Sequence, residues 1–64
     1  MVKIENMPMY AKQYGYVVYR TDGKSNWFWG AYETLGEAVD VAKQMDAKVC
    51  TIDEVDGEFH PDTL

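Results

Sequence analysis

The stretch Tyr14–Tyr32, YGYVVYRTDGKSNWFWGAY, decides the fold. It holds two apolar, aromatic-rich runs around Asp22-Gly23. Seven of the chain's nine Tyr, Trp and Phe residues fall inside it. Tyr16, Val17, Val18 and Tyr19 are consecutive strand formers, so a first strand is expected over 14–21. Glycine tolerates the positive φ of primed turns, which marks Asp22-Gly23 as a hairpin turn. Lys24-Ser25-Asn26 leaves room for a longer loop. Trp27–Tyr32 then forms the second strand, with Gly30 marking a bulge or a close approach of backbone.

After the hairpin comes Thr34-Leu35-Gly36-Glu37, a capping-box pattern. Leu35, Ala38, Val39, Ala42 and Met45 follow at helical spacing, with Glu37, Asp40, Lys43 and Gln44 opposite them and Val41 off the stripe. A helix is expected over about 35–46. KVCTIDEV, residues 48–55, reads as a third strand, with Cys50 and Ile52 on one face. Asp56-Gly57 repeats the turn signal, and Glu58-Phe59-His60 fits a short returning strand. Pro61 ends it, and 61–64 reads as a frayed tail.

Upstream, Val2–Ile4 fits a short edge strand. Residues 1–13 as a whole read as an N-terminal arm, because Pro8 lacks a donor and biases Met7 away from helix. Met7, Met9 and Tyr10 are apolar for a loop. They suit either a cap over the core edge or an interface.

The expected fold is therefore α+β, one domain with its ββαβ core over 14–60. Its three-stranded sheet has the order 3-1-2, with a possible short fourth strand and one helix on one face. This is a split β-α-β unit, with a right-handed crossover. A two-residue turn at Asp22-Gly23 sets Val18 opposite Trp27 and Val17 opposite Phe28. Tyr16, Val18, Trp27 and Trp29 then share one sheet face; Val17, Tyr19 and Phe28 share the other. One helix covers one face. If Val17 and Phe28 meet it, then Tyr16, Trp27 and Trp29 either form an exposed patch or lie under the arm and the Phe59 segment.

Sixty-four residues bury a modest core, typically about 3–5 kcal/mol net. Cys50 is the only cysteine and His60 the only histidine, so neither an internal disulfide nor a Cys/His metal site is expected. The charge is 6 Lys+Arg against 11 Asp+Glu, net -5. That disfavours duplex nucleic acid as a partner, since duplex affinity comes largely from Lys and Arg on phosphates. Asp53, Glu54, Asp56, Glu58 and Asp62 gather late, as a solvated end or as an acidic face for a basic partner. No stretch is apolar enough for a signal-peptide h-region or a membrane span. With one unpaired cysteine, a cytoplasmic location is expected.

No cofactor or catalytic motif stands out. Cys50, flanked by strand formers, reads as a buried inert thiol. The late carboxylates lack the EF-hand order. Tyr16, Trp27, Trp29 and Arg20 are the candidate interaction surface. It suits a protein partner or a second copy. Alternatively, its rings could stack the bases of a single strand, with Arg20 and Lys24 on phosphates. An acidic inhibitor or nucleic-acid mimic using Asp53–Asp62 is a third reading.

The run WFWGAYETLGEAVDVAKQM resembles the second half of the plant ethylene-response DNA-binding domain and its phage-integrase relatives. There a Trp-rich strand ends in Gly-aromatic-x-Thr before a Glu-Ala helix. Those domains read DNA with basic sheets. This chain has only Arg20 and Lys24 near the hairpin and a strand after the helix, so their binding residues do not carry over. Over about 16–59 the chain also resembles small bacterial and phage domains of unknown function. The shared features are the aromatic strand pair, Thr34, Glu37-Ala38, Ala42, Ile52 and Asp56-Gly57. That resemblance implies fold rather than activity, and the size and acidity suit a phage accessory protein.

Overall fold

The computed structural model describes residues 1–61. The chain is α+β. Its centre is a three-stranded antiparallel sheet of β3 (Tyr16–Asp22), β4 (Ser25–Tyr32) and β5 (Lys48–Thr51), in the spatial order β4-β3-β5. The single helix among the described residues longer than a few turns of 3₁₀ is α1 (Leu35–Met45), between β4 and β5. Before the sheet lie β1 (Val2–Lys3), β2 (Met7–Pro8) and a 3₁₀ helix, Met9–Gln13. After it lie a 3₁₀ turn (Ile52–Glu54), β6 (Val55–Asp56) and β7 (Phe59–His60).

The hairpin turn sits one residue later than expected. Asp22 pairs with Ser25, so Gly23-Lys24 are the two turn residues. Gly23 has φ +63° while Lys24 does not share the positive region, which is the II′ pattern. Arg20 therefore faces Trp27, and Tyr19 faces Phe28. A bulge then intervenes between Val18/Tyr19 and the partner strand. Val18 pairs with Gly30, so Trp29 is the extra residue. The expected pairs of Val18 with Trp27 and of Val17 with Phe28 are thus replaced.

Each sheet face has its own core. Val18 packs with Ala38 and Ala42 of α1, flanked by Tyr16, Tyr32, Val41, Met45 and Val49. The two alanines let the helix approach the sheet closely. The helix thus lies on the Tyr16/Val18 face, not on the Val17/Phe28 face. Its inward stripe is Ala38, Val41, Ala42 and Met45; Val41 joins it, and Leu35 stays 51% exposed. The other face, Val17, Tyr19 and Cys50, is sealed by Ile4, Met7, Ala11 and Val55, with Phe28, Ile52 and Phe59 at the margin. The arm and the Phe59 segment do cover the sheet face opposite the helix, but that face carries Val17, Tyr19 and Cys50 rather than Tyr16, Trp27 and Trp29.

The seal is tied by two short parallel pairings. Val2 lies opposite Val55, and Met7 opposite Phe59. So β7 does not return on the third strand. That strand itself ends at Thr51, because Glu54 caps the following turn. The Thr51 amide and hydroxyl both donate to Glu54 Oε1, at 3.1 and 2.9 Å. Thr34 caps α1 in the same manner, accepting from the Glu37 amide at 3.2 Å and donating from its hydroxyl to Glu37 Oε1 at 3.1 Å. Of the expected tail, 62–64 lies outside the described residues.

Candidate functional site

The pleat sets Arg20 and Trp27 on the sheet face that also carries Tyr16 and Val18. The helix occupies the Val18 end of that face and leaves the hairpin end open. Trp27 and Trp29 belong to neither core and are 47% and 55% exposed. Together with Arg20, Thr21, Asp22 and Phe28 they line a groove of about 490 Å³.

The backbone beneath Trp27 is held from both sides. On one side it pairs with β3. On the other, Glu5 forms a parallel bridge to it. The Glu5 amide donates to the Asn26 carbonyl at 2.7 Å, and the Phe28 amide donates to the Glu5 carbonyl at 3.2 Å. Asn26 adds a link from its Nδ2 to the Lys3 carbonyl at 2.9 Å, and its Oδ1 accepts from the Thr21 hydroxyl at 2.9 Å. The strand carrying the tryptophans is thus a braced platform rather than a free edge.

A second groove, about 510 Å³, adjoins the first through Phe28. Asn6, Met7, Pro8, Tyr10, His60 and Pro61 complete its lining. Tyr10 stands edge-on to Phe28, with centroids 6.1 Å apart, and edge-on to Tyr14 at 6.3 Å. The N-terminal arm therefore does more than cap the core. Met7 is fully buried, while Tyr10 stays 40% exposed. The apolar character of the arm was the sequence signal for this groove.

Of the four residues singled out from the sequence, Arg20, Trp27 and Trp29 come together. Tyr16 does not join them. It is half-buried, pairs with Tyr32 and Thr51, and packs beside the helix.

Charge is divided along the sheet. β3 and α1 end, and β4 and β5 begin, at the hairpin end. That end carries Arg20, Lys24, Lys43 and Lys48 against Asp22 and Asp46. The opposite end carries Glu33, Glu37, Asp53 and Glu54. On the arm beside β4, Lys3 stands among Glu5, Asp56 and Glu58, so that flank is acidic. The Thr51 hydrogen bonds hold the Glu54 carboxyl below its ordinary range, so it is ionised at neutral pH.

Cys50 lies buried, and burial together with the Glu54 charge raises its thiol above the ordinary range. It is a poor thiolate at neutral pH. His60 is exposed, at the second groove. Among the described residues no cluster of His, Cys, Asp and Glu could hold a metal ion, and no helix is long and apolar enough to cross a membrane. Comparison with protein-family models, curated proteins and solved structures finds no match.

Proposed function

We propose that this chain is a small, non-enzymatic interaction module of the cytoplasm that engages a protein through the Trp27–Trp29–Arg20 groove. One observation carries the reading: two neighbouring tryptophans are about half exposed on a strand braced from both sides. Trp and Arg dominate protein-interface hot spots, and a rigid platform loses little freedom when it binds. Both sheet faces are otherwise covered, so these rings have no evident duty in the core. The raised thiol of Cys50 and the solvent position of His60 favour a non-catalytic role. The test is a Trp27→Ala/Trp29→Ala variant, checked for native circular dichroism. It is expected to stay folded and to lose association with itself or with a captured partner. Unchanged association in a folded variant removes the groove from consideration.

A second reading is single-stranded nucleic-acid binding. It is favoured by Arg20, which lines the groove with the tryptophans, and by Lys24 at the adjoining turn. Base–aromatic stacking contributes roughly 1–3 kcal/mol per base. This reading expects a short oligonucleotide to quench Trp fluorescence at low salt and to release it as salt rises. Absence of quenching at low salt rejects it.

A further inference from the structure

We infer that the tryptophan groove is one end of a longer track, and that the track takes a proline-rich peptide with a basic residue at one end. The inference rests on the groove being a protein-binding site and names the chemistry of the partner. Three grooves are joined. The first, with Trp27 and Trp29, shares Phe28 with the second. The second shares Asn6 and His60 with a third, of about 420 Å³, between residues 3–6 and 57–60. The lining changes along the way. Trp27, Trp29, Phe28 and Tyr10 make the first two grooves aromatic. In the first, Arg20 stands with Asp22, so the charges there offset. No Lys, Arg, Asp or Glu lines the second. The third is acidic: Glu5 and Glu58 line it with Lys3, and Asp56 stands opposite Lys3 in the β1–β6 pair.

The main chain decides the conformation of the occupant. Glu5 fills the strand position beside Trp27, accepting from the Phe28 amide and donating to the Asn26 carbonyl. A partner strand therefore cannot extend the sheet beneath the tryptophans. A bound α-helix lays one apolar stripe along one trough. Here Phe28 divides the aromatic surface in two. Polyproline II fits what is left. It is stiff before binding, needs no backbone pairing and packs its rings into aromatic-lined grooves. Its prolines carry backbone acceptors and no donors, whereas the indoles, Arg20 and the Tyr10 hydroxyl supply donors. A peptide of about nine residues spans roughly 28 Å in this form. That is enough to cross a molecule measuring 27 × 27 × 25 Å. A basic residue at its end then meets Glu5 and Glu58.

Fluorescence anisotropy of labelled Arg-octaproline and octaproline-Arg, which cover both chain directions, tests this. One of the two is expected to bind about tenfold or more tightly than a Gly-Ser peptide of equal length with the same Arg. Tyr10→Ala and Trp27→Ala/Trp29→Ala, each folded by circular dichroism, are expected to weaken that binding roughly tenfold or more. Glu5→Gln/Glu58→Gln is expected to weaken it about threefold and to flatten its salt dependence. Equal binding of the proline and Gly-Ser peptides overturns the inference. So does a Tyr10→Ala variant, or the double Gln variant, that binds like wild type. In those outcomes, loss of association in the tryptophan variant keeps the groove and changes only its occupant. Unaltered association removes the groove as well. Oligonucleotide quenching of the tryptophans without peptide binding reassigns the groove to nucleic acid.

Discussion

A Cβ built on Gly30 would lie 2.7 Å from the Tyr32 hydroxyl and 3.0 Å from its ring. The Tyr32 side chain thus folds back over the backbone of its own strand, two residues upstream, and packs beside Val18. Gly30 is the residue that admits it. Gly30→Ala is expected to push the ring off this site. Tyr32 is only half-buried and can move, so the loss should be near the low end for overpacking, about 1 kcal/mol. Urea unfolding measures it. An unchanged midpoint would show that the ring contributes nothing where it lies.

Met7 and Met9 are two residues apart, and their burial differs sharply. Met7 is fully enclosed by the arm and the sheet, whereas Met9 is 46% exposed. Met7→Ala should leave a cavity against Val17 and cost about 2–5 kcal/mol. Met9→Ala should change stability by less than about 0.5 kcal/mol. Equal effects in thermal unfolding would mean the arm is not the lid over this face.

Asp46 closes α1 in the left-handed region, with φ 55° and ψ 44°, and its amide donates to the Ala42 carbonyl. Glycine adopts this conformation without the Cβ penalty. Asp46→Gly should therefore raise stability by roughly 1 kcal/mol. A lower melting temperature would mean that the Asp46 carboxylate matters more than its backbone.

Tyr19 and Cys50 share the core opposite the helix, and burial raises both groups above their ordinary ranges. Both are neutral when protonated, and folding favours that form. Their contribution is complete below the unfolded thiol value, roughly 8.5, and is lost as pH climbs through the raised folded values. Denaturant midpoints should fall on the alkaline side, and Cys50→Ser should shift that fall to higher pH. A thiol reagent should label native Cys50 slowly and urea-unfolded Cys50 fast. A flat midpoint across the alkaline range would contradict this linkage.

The hairpin and helix were legible because their signals are local: the run from Tyr16 to Tyr19, a glycine at the turn, Thr34 with Glu37. The register was not. A glycine at position 23 suits a turn at 22–23 or at 23–24, and the choice shifts every cross-strand pair. The bulge at Trp29 then shifts the pairs of Gly30, Ala31 and Tyr32 once more, while Trp27 keeps the face of Val18 and Phe28 that of Tyr19. Thr51-Ile52-Asp53-Glu54 repeats the Thr-x-x-Glu spacing of the helix cap. It was masked by the alternating pattern of 48–55, which reads equally as strand. The pairings of Val2 with Val55 and of Met7 with Phe59 join two-residue strands across most of the chain and have no local signature. Trp27, Trp29 and Arg20 could be nominated from composition. Their exposure could not, because the helix takes their face and stops short of its hairpin end. Alternation alone groups Tyr16 with them, and it does not say how far along the strand the helix reaches.

The parallel ties at Val2–Val55 and Met7–Phe59 also set an order of events during synthesis. The hairpin and α1 can assemble as soon as Met45 has emerged, since their contacts are close in sequence. The arm is made first but has nothing to grip until Val55 and Phe59 follow. Until then the Val17–Tyr19–Phe28 surface is bare, the state in which a nascent chain is most open to misassociation. Closure of this face thus waits on the synthesis of β6 and β7, and a stall between the helix and β6 would release a half-clothed sheet.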